Sequence, residues 1–428
     1  DYEYETIPAI NYMPKKERSY NKATGTEHTL QIDYYDPLTK AHNIEAGVKY
    51  ILRMNRSDSD EKLWDGPSYS WMEHNQRESV DLNYDQHILG VYGGYLFKNK
   101  KITAKGGFRM EGTFNTGYAK TKAKNYDFDN SNFNIVPYVN FTYMPKPTQR
   151  VRASYTQRLR RPWINQLNPY EQKSYDNENI INYGNPDLKS VISHSFSAGY
   201  SIFSNSWNID ARVSYNFSNN DIISITKANG EKIETSYYNS GENQFVRLSL
   251  SGNYRLNTVL NVYANANAGF NKVAATVFNG ITSDYISNEG FNLMASLGAS
   301  VTLWKEARFN GNFGYYMSPV NLQGTNRNQY YTSFGLSQRL LKQKLDLNLS
   351  VSNPFTKYQK YGSESEQAGI FRQFSESEYQ SRRINFRVGY RFGQMNVQVK
   401  KARRTISNDD RDSGSSGGST GGGGATGQ

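Results

Sequence analysis

Arg109 and Glu111 are the first pair in this chain placed to act together. In an extended strand, residues two apart point to the same face. One guanidinium and one carboxylate would therefore share a surface and could contact a charged ligand. The alternative is an internal salt bridge that fixes strand register, since buried charges are usually paired. A second group is Arg158, Arg160 and Arg161, followed by Trp163. Such guanidiniums can hold an anion through bidentate bonds. The competing reading is a folded loop stiffened by Pro162, Pro169 and Pro186. Trp64, Tyr69, Trp71 and Trp163 could stack on carbohydrate, because aromatics on exposed loops often mark binding.

Catalytic residue types are present but not assembled. His28, His42, His74, His87 and His194 are scattered, with no His-x-x-His or His-Glu-x-x-His spacing. His28 and His194 fall on the apolar register of their strands, and metal sites need clustered ligands, so packed or interfacial rings are expected there. The chain has no Cys, which removes disulfides and thiol chemistry. Neither a Gly-x-Ser-x-Gly elbow nor a phosphate loop occurs. The Gly-rich C-terminus lacks a Lys-Ser/Thr after its glycines and precedes no helix. A non-enzyme is expected, with no catalytic residue, cofactor or metal. The net charge of +11 is spread along the chain, with one small cluster at Lys400, Lys401, Arg403 and Arg404. Nucleic-acid binding would concentrate it on one element, so no nucleic-acid partner is expected.

The elements that must carry these residues announce themselves by alternation. Trp207, Ile209, Ala211, Val213, Tyr215 and Phe217 alternate with Asn208, Asp210, Arg212, Ser214 and Asn216. Only a strand sorts such a pattern onto two faces. Leu260–Phe270, Phe291–Leu303, Ile102–Met110 and Leu345–Val351 repeat it. Many runs reach about ten residues, the length of a tilted membrane-crossing strand rather than a soluble one. Mean hydropathy is low, at −0.78, yet Tyr, Phe and Trp make up 14% of the chain. Membrane barrels combine these properties because only one face of each strand meets lipid, and aromatic girdles such as Tyr34, Tyr50, Tyr143, Tyr200, Tyr315 and Phe392 suit its interfaces. No run is long and apolar enough for a transmembrane helix.

Connections alternate in length as well. Short ones fall near Asp36–His42, Asn99–Lys100, Pro145–Pro147, Ser204–Asn205, Leu256–Asn257, Lys305–Glu306 and Lys342–Gln343. Long polar ones fall near Ser57–Asp81, Asn115–Asn132, Arg161–Lys189, Thr276–Tyr285, Pro319–Asn326 and Asn353–Gln380. Long loops on the outside and short turns inside are the layout of outer-membrane barrels. The expected fold is all-β, an antiparallel transmembrane β-barrel of about fifteen strands. The first, Glu27–Asp36, and the last, Ile384–Phe392, both run toward the periplasm. An odd count implies a barrel incomplete at its N-terminus, and about seven further strands would give about 22. Residues 1–26 read as an outer loop after a missing strand, 27–393 as barrel strands, and 394–428 as a flexible periplasmic tail, basic and then Gly/Ser-rich. No signal peptide is visible.

The segment Val151–Tyr170, VRASYTQRLRRPWINQLNPY, and the later YGNPDLKS, Tyr183–Ser190, resemble the TonB-dependent-receptor-like outer-membrane β-barrel family of Gram-negative bacteria. Gly106–Gly112, GGFRMEG, resembles that family's Gly-x-Arg-x-Glu strand, and Phe386–Phe392, FRVGYRF, its terminal strand. The resemblance covers about Glu27 to the end, without a plug domain or TonB box. It implies a cell outer membrane location and uptake of a nutrient or chelate too large for porins, with outer loops capturing an unknown extracellular ligand. The alternative is a non-transporting outer-membrane scaffold or assembly barrel. Implied partners are outer-membrane lipids and lipopolysaccharide, whose phosphates Arg158, Arg160 and Arg161 could meet, and TonB, only through the missing N-terminal region. The barrel assembly machinery would recognise Phe386, Val388, Tyr390 and Phe392.

Overall fold

The computed structural model describes residues 17–65, 67–74, 78–173, 179–278, 283–367 and 371–392. Fifteen long strands follow the chain: β1 Glu17–Asp36, β2 His42–Asp65, β3 Asp81–Lys98, β4 Ile102–Lys120, β5 Asn125–Tyr143, β6 Gln149–Arg160, β7 Val191–Phe203, β8 Trp207–Asn229, β9 Lys232–Leu256, β10 Leu260–Phe278, β11 Ser283–Trp304, β12 Ala307–Met317, β13 Gln329–Leu340, β14 Leu345–Ser352 and β15 Arg383–Tyr390. Each pairs antiparallel with the next. The short pieces Ser70–Glu73, Gln172–Lys173 and Ile180–Asn182 join the same sheet, which holds 18 strands. Gly324–Asn326, Tyr358–Gln367 and Phe371–Gln380 form a separate three-stranded sheet from two outer connections. Among the described residues no ladder joins β1 to β15, so the large sheet is open.

Register sorts the faces. Phe141, Ala153, Ala198, Val213, Leu248, Ala268, Leu293 and Met317 stand side by side across β5 to β12. One residue away runs Lys105, Asn140, Ser154, Ser197, Ser214, Arg247, Gly269 and Asn292. The first row faces lipid and the second the lumen, because hydrocarbon offers polar groups no partners. Val213 and Ala264 belong to lipid-facing rows, Arg212 and Asn265 to lumen-facing ones. Val213→Arg is expected to cost ~2–4 kcal/mol in a refolding titration into lipid vesicles, as lipid-face charges do near the midplane. Asn265→Asp should refold nearly as the parent does. Equal costs would reverse the face assignment.

The aromatic girdles fix the height of the membrane. Trp207 and Phe217 lie ten residues apart on β8. That is ~33 Å along a strand, or ~25 Å upright at the usual tilt, the height of a barrel's apolar band. Phe217 stacks on His194 at 4.6 Å, and His194 on Tyr155 at 6.2 Å. At the other boundary His42 packs against Phe97 at 5.2 Å. His87 bonds to Tyr50 at 2.7 Å. These histidines serve as interfacial rings.

Above the upper girdle the strands continue, and here several sequence expectations fail. β1 begins at Glu17, so residues 17–26 are strand rather than outer loop; residues 1–16 and 393–428, including the whole of the expected tail, lie outside the described residues. Asn115–Asn132, read as a long connection, is ladder except for a turn at residues 121–124. Within Ser57–Asp81, β2 runs on to Asp65 and Ser70–Glu73 folds back on it. Within Asn353–Gln380, a hairpin forms where a loop is expected. The cause is shared. Beyond the membrane both faces are wet, so alternation fades while backbone pairing persists. Between β8 and β9 the chain reverses at Gly230–Glu231, and the φ of +61° at Gly230 is easily reached only without a Cβ.

Candidate functional site

The connection from β6 to β7 does not stand out into solvent. It folds inward over the lumen as a strap, because its apolar residues find partners there. Leu167 and Leu188 are buried against Tyr84 of β3 and Phe128 of β5, with Ile164, Ile222 and Tyr237 packed around them. A single turn, Ile164–Leu167, begins with the Trp163 N–H donating to the Gln166 side chain at 3.0 Å.

Asparagine amides then bracket the strap's backbone to the strands. Asn130 Nδ2 donates to the carbonyls of Pro186 at 2.6 Å and Leu188 at 2.7 Å. Ser190 N–H donates to Asn132 at 3.1 Å. Asn220 sits at a bulge in β8, donates to the Ser190 carbonyl at 2.9 Å and accepts from Ile192 N–H at 3.1 Å. Asn239 of β9 makes the same kind of bracket with Lys189, at 2.7 and 3.0 Å. Each satisfies strap groups that burial would otherwise leave unpaired. Behind them runs a buried chain from Arg53 through Gln86 and Asn115 to Asn130, with links of 2.9 to 3.0 Å. The Gly-Asn-Pro-Asp-Leu run is one half of this device. A Cβ on Gly184 would lie 2.6 Å from the backbone N and O of Asn168, too close for any side chain. Gly184→Ala is expected to displace the strap at a cost of ~1–3 kcal/mol, the range of overpacking. Limited proteolysis within residues 161–190 should then speed up; unchanged cleavage would show that the strap tolerates the methyl group.

Below the strap lies the charged throat. Glu111 is 2% exposed and forms an ion pair with Arg109 of its own strand, Nη2 lying at 2.7 Å. From the strap, Arg161 Nε donates to it at 2.8 Å, and Arg161 Nη2 contacts it as well. Lys49, Lys105 and Arg158 line the same cavity of about 1440 Å³. Lys105 pairs with Glu45 at 2.7 Å. The structure thus gathers Arg109, Glu111, Arg158 and Arg161. It separates Arg160, which pairs with Asp221 at 3.2 Å. Trp64 and Trp71 form another group, ring edge to ring face at 5.3 Å, with the Arg18 guanidinium 5.3 Å over Trp71. Nearby, Lys122 and Lys62 hold the exposed Glu73 carboxyl at about 2. Trp163 is half exposed on the strap.

Above the strap is a second cleft, of about 670 Å³. Sequence reasoning missed it, and missed the bracketing asparagines. The usable signal was the lumen-facing register shared by Ser57, Ser59 and Tyr84 along paired strands. Among the described residues no group of His, Asp or Glu could hold a metal ion.

A family model described as "Outer membrane protein beta-barrel family" matches residues 2–390. Solved structures share the fold. The copper transporter OprC superposes with a TM-score of 0.63 at 12% identity, covering 89% of this chain and 60% of its own. The ferric yersiniabactin uptake receptor FyuA from Yersinia pestis gives 0.60 at 10%, covering 88% and 56%. The FrpB iron transporter from Neisseria meningitidis, F3-3 variant, gives 0.58 at 14%, covering 87% and 56%. The chain thus spans less than two thirds of each of these proteins, and the likeness is one of fold. No match is found among curated protein sequences.

Proposed function

We propose a receptor's role from one premise: the chain belongs to the outer membrane protein beta-barrel family and resides in the outer membrane of a Gram-negative cell. The proposed activity is uptake of a nutrient or chelate too large for porins, and not catalysis. The observation that carries it is the strap. A scaffold barrel has no need to fold an outer connection inward and bracket it to the wall. A receptor does, because such a strap would set one cleft toward the outside and another toward the lumen. Three similar structures are of a copper transporter, a ferric yersiniabactin uptake receptor and an iron transporter, in keeping with transport here. Lipid and lipopolysaccharide would contact the outer rows, the insertase would handle β15, and any coupling to TonB would come through residues outside the described strands.

The test is growth of a strain lacking the protein on a panel of single nutrients. A defect confined to large solutes, restored by the intact protein, is expected. Normal growth on every solute, together with a leaky envelope, would favour the scaffold.

A further inference from the structure

The cleft above the strap has a composition unlike the throat beneath it. One wall is the inner face of β1 and β2, where Ser19, Asn21, Ser57 and Ser59 present short hydroxyls and amides. The opposite corner is made by Tyr126 of β5 and Tyr170 of the strap, edge to face at 5.5 Å. Asn168 closes the bottom, on top of the buried Tyr84–Leu167–Leu188 cluster. Part of this lining is already ordered: Ser19 donates to Glu61 at 2.7 Å, Ser57 to Asn21 at 2.9 Å, and the Ser59 hydroxyl is held by the Val80 backbone, donating at 3.2 Å and accepting at 2.9 Å.

Charge in the cleft is mixed, with carboxylates in excess. Glu61, Glu78 and Glu171 face it, as does Lys173, and the Lys124 ammonium lies 4.7 Å over the Tyr126 ring. The Tyr126 phenol is raised above its usual range, first by burial and then by Glu171 and Glu78. An anion therefore meets carboxylates, and a polycation meets two lysines. Apolar ligands would strand the hydroxyls and amides without partners. What remains is a molecule carrying many hydroxyls, each able both to donate to a carboxylate or amide oxygen and to accept from an amide or hydroxyl, with C–H faces that pack on rings. The volume lies within the ~300–1,000 Å³ of small-molecule sites.

We propose that this cleft binds an uncharged oligosaccharide, with Asn21 and Ser57 bonding its hydroxyls and Tyr170 packing against a sugar ring. The inference rests on the receptor reading and names its ligand class.

The test uses the full-length protein in detergent and three probe sets: neutral gluco-, manno- and xylo-hexaoses, acidic galacturonate hexamer, and cationic chitosan hexamer, each fluorescently labelled. Binding is read by anisotropy. At least one neutral hexaose binds, the acidic and cationic probes do not, and Tyr170→Ala and Asn21→Ala each weaken binding about tenfold, the effect of losing one such contact. Ser57→Ala, a smaller change, weakens it in the same direction while heat-modifiability stays that of the parent. Binding of no neutral probe, preference for a charged probe, or indifference to all three substitutions overturns the proposal. The growth test separates the two readings. Solute-specific loss of an anionic chelate would keep the receptor and remove the saccharide. Neutral hexaose binding without any growth defect would keep the site and remove transport.

Discussion

Glu111→Gln is expected to destabilise the barrel by ~3–5 kcal/mol, the cost of removing one partner from a buried charge cluster. The carboxylate is 2% exposed and holds Arg109 at 2.7 Å and Arg161 Nε at 2.8 Å. An amide in its place can accept from one guanidinium but cannot neutralise either. Two cations would then share a partly buried site with no carboxylate between them, in which their repulsion is screened less than in bulk water. The loss should appear in two places at once. Urea-induced unfolding from vesicles shifts to lower concentration, and the strap, freed at Arg161, becomes open to protease. Replacing Arg109, Glu111 and Arg161 together by Met should recover much of the stability, since whole buried ion clusters are often replaceable by apolar packing. Stability unchanged in Glu111→Gln would show that the cluster is solvated and serves only to line the lumen.

The second large effect is expected at the last strand, in biogenesis rather than in the folded state. β15 pairs with β14 in full register from Leu345–Tyr390 to Ser352–Arg383. Phe386, Val388 and Tyr390 form its exposed apolar row, and Phe392, 85% exposed, follows with its ring 4.6 Å from Tyr390. An unpaired strand edge is a template for another strand, which suits a handover from the insertase. Phe392→Asp places a charge where the row meets the membrane boundary and should leave the full-length protein largely uninserted, seen as loss of the heat-modifiable band in outer-membrane fractions. Deleting Asp412–Gln428, which lies outside the described residues, should leave insertion unchanged. Normal insertion of Phe392→Asp, or failure of the tail deletion, would remove the assembly role from this strand.

Sequence legibility followed the membrane. Where lipid touches the strands, a single polar residue in the wrong register is costly, so Trp207 to Phe217 alternates without exception and its faces could be read directly. The fifteen long strands were countable for the same reason. Along the next twelve residues of β8 the same reading had little to work on, because lipid no longer meets the outer face and the inner face packs in part on the strap, through Ile222. The strap was legible as a motif but not as a structure. Arg158, Arg160 and Arg161 look alike in sequence, and only the inward fold sends Arg161 to Glu111 and Arg160 to Asp221. Asn130, Asn132, Asn220 and Asn239 were hidden among ordinary polar residues, since a bracketing amide differs from a solvated one only in what lies opposite. Trp64 and Trp71 meet because β2 folds back on itself at Ser70–Glu73, a register that composition does not report.

The long ladders all join strands that are neighbours in the chain. Kinetically this makes the wall a zipper. Apart from the long connections between β6 and β7 and between β14 and β15, each new hairpin closes a short loop onto an edge already formed, so the entropy of closure is met in small instalments. The strap obeys a different clock. Its brackets come from β5 on one side and from β8 and β9 on the other, so it cannot seat until strands on both flanks stand in place. Seating of the strap therefore comes late, and protease resistance between Arg161 and Ser190 becomes a timer for how far the wall around it has been built.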